Sequence, residues 1–213
     1  PPVVRAENDL QESLFERLHE EYPGVSTLLE RQYRMAQHIQ SFPSREFYDG
    51  QLRPATGEVA ARSVGDLPTV SPDLLSAHLQ DRVAFVDPDS HADGNTNPRE
   101  ADEVAAIVAS YLDAGVAPGD VGVIAPYRAQ VATIRARVSD DITVDTVDRF
   151  QGSSKEVIVV SFVATGSLDS PIFEDYRRVN VALTRAKRAL VLVGDSAALA
   201  TDDTYSRMVE WAR

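Results

Sequence analysis

Apolar residues recur along the chain with two periods, and the changes of period mark out its elements. Over Asp9–Glu21, Leu10, Leu14 and Leu18 fall at i, i+4 and i+8 and Phe15 widens the stripe, which predicts an amphipathic helix. Asp9 can cap it with Glu12 at the third helical position, and Pro23-Gly24 stops it. Thr27–Leu29 is a short apolar lead into Arg31-Gln32-Tyr33-Arg34-Met35. Further on, Val83–Val86, Val121–Ala125, Ile142–Val147, Val157–Val163 and Leu190–Val193 are apolar runs of strand length. Helical patterns separate them. One starts at Asn97, with Pro98 in the first turn and Glu100 completing the cap, and runs to about Ala114; others cover Arg128–Val138 and Glu174–Ala186.

Strands apolar on both faces that alternate with helices form parallel sheets covered on both sides. The predicted fold is therefore α/β: a doubly wound, mainly parallel sheet with helices on both faces. Residues 52–80 hold Pro54, Gly57, Gly65, Pro68 and Pro72 with weak periodicity, so they read as an irregular surface excursion. Function in such folds gathers at the carboxyl ends of strands. Polar clusters stand there: Pro126-Tyr127-Arg128, Asp148-Arg149-Phe150-Gln151-Gly152 and Gly194-Asp195.

Composition narrows the chemistry. The 213 residues, 43% hydrophobic, suit one large α/β domain with a real core, or one domain plus a small appendage. No apolar run reaches the roughly 18 residues of a membrane span. Pro1-Pro2-Val3-Val4-Arg5 has neither Met nor the order of a signal peptide, so the chain reads as a segment of a longer cytoplasmic protein. The absence of cysteine excludes disulfides, thiolate zinc sites and thiol catalysis. His19, His38, His78 and His91 lack metal-ligand spacing, and no metal site is expected.

The net charge of −12 argues against a generic basic nucleic-acid-binding domain. Lys155 and Lys187 are the only lysines, Arg supplies the other cations, and Asp outnumbers Glu. This balance resembles the proteins of salt-accumulating, halophilic archaea, although a GC-rich genome also depletes lysine. In molar salt only close charges interact, so net charge then says little about partners.

Arginines recur in the polar clusters, at Arg34, Arg149, Arg178 and Arg185. The rigid donor fork of Arg suits a polyphosphate, and an arginine near a γ-phosphate stabilises its transfer. The plain alternative is pairing with the abundant carboxylates. The order of the motifs favours the first reading. Leu29-Glu30-Arg31-Gln32-Tyr33-Arg34-Met35, then Phe42-Pro43-Ser44 and Phe47-Tyr48-Asp49-Gly50, form one block. Gly122-Val123-Ile124-Ala125-Pro126-Tyr127 with Gln130, Val144–Gly152, and Arg177-Arg178-Val179-Asn180-Val181-Ala182-Leu183-Thr184-Arg185-Ala186 follow. In content and order these resemble the motifs of Upf-like (SF1B) superfamily 1 helicases, from just after motif III to motif VI. The opening Pro1-Pro2-Val3-Val4 and Ser13–Leu18 fit the start of that run.

The resemblance implies the second, C-terminal RecA-like domain of such a helicase, with the P-loop NTPase fold. Residues 1–25 would be the linker and helix after motif III, and 26–213 the RecA-like domain. Arg34 and Arg185 would be catalytic arginine fingers on the γ-phosphate of ATP. Tyr33 would stack on adenine, with Gln32, Gln151, Gly152 and Arg178 completing the nucleotide side. Asn180 would be a local organiser. Single-stranded DNA or RNA would lie on Pro126, Tyr127, Arg128, Thr146 and Asp148, held mainly by its backbone. Asp148 could instead orient Arg149 or cap the turn that follows.

Three departures stand out. Ser154 replaces the acid that usually follows the motif V glycine and holds the ribose, Ala164 replaces an Arg, and Ala36-Gln37 replaces His-Pro. No G-x-x-x-x-G-K-[S/T] occurs, nor an acidic pair for magnesium. ATP with Mg²⁺ would therefore be cradled by an N-terminal RecA-like domain of the same polypeptide, and this chain alone would be inactive. A non-catalytic binding or regulatory module that kept the fold is the alternative.

Overall fold

A computed structural model of the chain describes residues 18, 21, 22, 24, 27–90, 92, 94–164, 168 and 171–213. The helix expected over Asp9–Glu21 lies largely outside them; Leu18 and Glu21 are helical, and the Tyr22 amide donates to the Leu18 carbonyl at 2.9 Å. Two compact units divide the chain, Pro1–Glu30 and Arg31–Arg213. The second contains everything that follows.

It opens with β1 (Arg31–Gln32), α1 (Gln37–Phe47), β2 (Arg53–Pro54), α2 (Gly57–Ala61) and α3 (Ala77–Gln80). Next come β3 (Val83–Val86), α4 (Pro98–Asp113), β4 (Val121–Ile124), α5 (Arg128–Arg135), β5 (Thr143–Asp145) and α6 (Val147–Phe150). The chain ends with β6 (Lys155–Ser161), α7 (Pro171–Glu174), α8 (Tyr176–Leu183), β7 (Ala186–Val193), α9 (Ser196–Leu199) and α10 (Asp203–Ala212). Strands β3 to β7 form one five-stranded sheet in the order β3-β7-β6-β4-β5, every neighbouring pair parallel, while β1 and β2 pair separately.

The period of two along each strand sorts side chains onto opposite faces. Ile158 and Val160 of β6, Leu190 and Leu192 of β7, and Val83 and Phe85 of β3 join a core with Ile39 and Phe42 of α1, Val179 and Leu183 of α8, and Tyr205 and Met208 of α10. Val157, Val159, Val191, Val121, Val123 and Ala84 face the other way, onto Val104, Ile107 and Tyr111 of α4 and Ile134 of α5. Both faces are covered, as the doubly wound reading requires.

The irregular stretch 52–80 contributes to that second core. Val64, Leu75 and Leu79 are buried in it, and the Tyr111 hydroxyl donates to the Leu79 carbonyl at 3.0 Å. Gly115 makes the approach possible. Its φ is +103°, and a Cβ there would stand 2.1 Å from the Thr69 carbonyl oxygen.

Some boundaries differ from expectation. Val147 opens a helical turn instead of ending β5, and β6 stops at Ser161. The helix expected over Glu174–Ala186 is broken at Asp175, which caps α8 through the Arg177 amide, and Ala186 already belongs to β7.

Candidate functional site

The carboxyl ends of β4 and β5 place two loops side by side, and the loop residues form a groove. An open cavity of ≈ 380 Å³ is lined by Pro126, Tyr127, Arg128, Thr146, Asp148, Arg149, Arg178 and their neighbours, including Asn95 from the loop ahead of α4. All five residues expected to touch a strand thus share one surface. Arg178, expected on the nucleotide side, lines this groove as well. Its guanidinium lies 3.5 Å from Asp148 and 3.6 Å from Asp175. Asp148 therefore pairs with Arg178, and Arg149 pairs with Asp145 at 3.7 Å.

A second open pocket, of ≈ 650 Å³, is lined by Arg31, Gln32, Tyr33, Arg34, Met35, Arg62, Ser154, Glu156, Lys187 and Arg188. Tyr33 is 69% exposed in it, as a ring offered for stacking must be. Gln32 shapes the loop that carries Tyr33. Its Oε1 accepts from the Arg34 and Met35 amides at 2.8 and 2.7 Å, and its Nε2 donates to the Met35 carbonyl at 2.9 Å. Its amide is thereby spent on the loop.

Arg34 and Arg185, 151 positions apart in the sequence, are brought together. Arg34 Nη1 donates to the Thr184 carbonyl at 2.9 Å. Arg185 donates from Nε to the Val181 carbonyl at 3.0 Å, from Nη1 to the Ser153 carbonyl at 3.2 Å, and from Nη2 to Thr184 Oγ1 at 3.3 Å. Burial, and then the charge of Arg34, push the Arg185 guanidinium below its usual range. Neither guanidinium has a carboxylate within ion-pair distance among the described residues. In a chain with 33 acids to 21 Lys and Arg, that is a distinctive electrostatic arrangement.

Gln151 and Gly152 are exposed and form a turn, with Gly152 at φ +86°. The Ser153 amide closes it on the Phe150 carbonyl at 3.0 Å. The turn meets the arginine pair through the Ser153 carbonyl; neither Gln151 nor Gly152 lines the Tyr33 pocket. Asn180 donates to the Tyr48 hydroxyl at 3.0 Å, while its buried Oδ1 has no partner among the described residues.

Of the departures, Ser154 lines the Tyr33 pocket and Ala164 is fully buried, so position 164 offers nothing to the groove. Sequence reasoning missed Glu156. Burial raises its carboxyl, but hydrogen bonds from Lys187 at 2.6 Å and Arg188 at 2.7 Å outweigh this and hold it below the usual range. Its only sequence signal is a lone acid among apolar strand residues. Among the described residues no helix is long and apolar enough to cross a membrane, and no group of three or more His, Cys, Asp or Glu could hold a metal ion.

Comparison with known proteins gives this arrangement a family. A family model described as an AAA domain matches residues 10–197. Similar proteins include an uncharacterized ATP-dependent helicase of Methanocaldococcus jannaschii, 36% identical over all of this chain and 33% of its own length. The Drosophila melanogaster homolog of regulator of nonsense transcripts 1 is 32% identical over 99% of this chain and 19% of its own length. Helicase sen1 of Schizosaccharomyces pombe is 32% identical over 99% of this chain and 13% of its own length. The chain thus spans a third or less of these relatives. The solved C-terminal domain of a possible DNA helicase from Lactobacillus plantarum aligns over 77% of this chain and 88% of its own, with 13% identity and a TM-score of 0.47. The chain belongs to the AAA domain family, as a C-terminal RecA-like domain of the Upf-like superfamily 1 helicases.

Proposed function

We propose that this chain is the second motor domain of an ATP-dependent superfamily 1 helicase. In this reading Arg34 and Arg185 reach the γ-phosphate of an ATP held against an N-terminal RecA-like domain of the same polypeptide. The observation that carries it is the pair of half-buried guanidiniums, tethered to backbone carbonyls and without a carboxylate in ion-pair reach among the described residues. Two repelling cations kept together lower their energy when a polyanion arrives, and more so as charge develops during transfer. Tyr33 provides a face for the base, and Gln32 and the Gln151–Gly152 turn act as scaffolding.

Among the described residues no group of carboxylates could hold Mg²⁺, and in this reading its ligands come from the N-terminal domain. The chain alone, whose sequence has no phosphate loop, in this reading turns over no ATP. The Pro126–Arg128 and Thr146–Asp148 groove takes a single strand through its backbone, with Arg128 and Arg178 as the cations. Domain closure on ATP and opening after hydrolysis would step the protein along the strand, 5′ to 3′ as the resemblance implies.

The test is Arg185→Ala in the intact polypeptide. A single finger contributes about 10³–10⁵-fold to turnover, so phosphate release should vanish while oligonucleotide affinity stays. Retained turnover would overturn the assignment. Matched DNA and RNA duplexes in an unwinding assay identify the substrate.

A further inference from the structure

One wall of the groove stands on a buried polar network. Glu100, at the third position of α4, is 0% exposed. Its Oε1 accepts from Ser161 Oγ at 2.6 Å and from the Val163 amide at 3.0 Å, and Asn97 Nδ2 reaches Oε2 at 3.4 Å. Gln130, equally buried, donates to Ser161 Oγ and to the Asn97 carbonyl, both at 3.1 Å, and accepts from the Asn97 amide at 2.9 Å. Asn97 Nδ2 also donates to Ser90 Oγ at 2.9 Å.

The network ties together the head of α4, the first turn of α5 and the exit of β6. Two of these also build the groove, through Asn95 ahead of α4 and Tyr127, Arg128 and Ala129 at the head of α5. At the third, Val163 has a φ of +54°. A β-branched residue keeps that conformation only where its surroundings impose it, and here the Glu100 carboxyl receives its amide.

We propose that Glu100 is a positioning residue of the strand groove. As a carboxylate it gathers the Ser161 hydroxyl and the Val163 amide. Ser161 in turn fixes Gln130, and Gln130 fixes the Asn95–Asn97 and Tyr127–Ala129 segments. The proposal rests on the reading of that groove as a strand site.

The groups that meet the Glu100 carboxyl are neutral, namely Ser161, Asn97 and the Val163 and Phe162 amides, and Gln130 and Ser90 behind them are neutral as well. Asp195, at the head of α9, is the charged group whose field acts on it. Burial, opposed by the hydrogen bonds, pushes the carboxyl up to about 7. A proton on Glu100 replaces an acceptor with a donor, and the Ser161 and Val163 donors lose part of their target. Strand affinity of this chain should therefore fall between pH 8 and pH 6.

The experiment measures binding of fluorescein-labelled oligothymidine and oligouridine to the full chain from pH 6 to pH 8. Wild type should weaken roughly five-fold toward pH 6, the low end of coupling between linked sites. Glu100→Gln and Gln130→Met should each lose a similar factor at pH 8 and show a flat profile. The double variant should lose no more than either single one, because both break the same link. A Glu100→Gln protein with wild-type affinity and pH profile, or losses that multiply in the double variant, would overturn the proposal. If Glu100→Gln does not fold, Gln130→Met and the wild-type profile decide it. Absence of strand binding by wild type would sink the groove reading instead. Hydrogen exchange at Val163 and the first turn of α5, corrected for intrinsic pH dependence, then tests the positioning directly: unchanged protection in Gln130→Met counts against it.

Discussion

Arg34 donates to the carbonyl of Thr184, so the guanidinium that repels Arg185 is anchored on the residue beside Arg185. The fold holds like charges together using neutral acceptors. Such an arrangement adds little to the stability of this chain, since the carbonyl hydrogen bonds offset desolvation and repulsion.

Replacement of Arg185 by Met, which keeps much of the stem and removes the charge, should therefore change the unfolding free energy by less than about 1 kcal/mol. Urea melts of wild type and variant measure this. A loss above about 2 kcal/mol would identify the pair as structural and remove the physical support for the finger assignment.

The elements legible in the sequence are those whose pattern is decided locally. The five apolar runs became the five strands of the sheet; β3, β4, β6 and β7 supply residues to both cores, while the edge strand β5 buries only Val144. Helix α1 was not anticipated, since Pro43 interrupts a stripe of only Ile39, Phe42 and Phe47. Ala186-Lys187-Arg188-Ala189 has helical propensity, yet pairing with β6 makes it strand. The arginine pair spans the length of the domain, so only ordered motifs could link its members. Glu100 read as a cap, which it flanks, but nothing local says that Ser161, 61 positions later, will meet it.

Gly115 offers a sharp test of how the 52–80 stretch seats on α4. Gly115→Ala would place a methyl against the Thr69 backbone in a left-handed conformation. The cost should exceed about 2 kcal/mol, which for a domain of this size lowers the melting temperature by roughly 4–8 °C. Gly57→Ala, with nothing within 4 Å of the new methyl, is the control and should be neutral or slightly stabilising. Equal melting temperatures for the two variants would contradict the packing.

Salt should stabilise the chain. With a net charge of −12 the folded state repels itself, and raising salt from 0.1 to 1 M shortens the Debye length from about 10 to 3 Å. Thermal melts in KCl should rise by several degrees over that range. A flat or falling curve would show that surface repulsion is already neutralised locally by pairs such as Arg137–Asp102 and Arg188–Glu156.

Two carboxyls, the buried Glu100 and the half-buried Glu156, pull the pH dependence of stability in opposite directions. Glu156, held low by Lys187 and Arg188, stabilises the fold above the ordinary carboxyl range, and this is lost as pH falls through its depressed folded value. Glu100 has the opposite sign. Its folded value of about 7 lies above the ordinary glutamate value of 4.5, so between those limits the folded state holds a proton that the unfolded state has released. Stability therefore declines as pH rises through that window, by up to ~3 kcal/mol. Denaturant melts of wild type should show this decline between pH 5 and pH 8, and Glu100→Gln should remove it while leaving the acid-side loss intact. Wild type and Glu100→Gln with parallel curves would mean that Glu100 is ionised in the fold throughout. The carboxylate that grips the groove best is then the form that costs the fold most, so stability and strand affinity should move in opposite directions across neutrality.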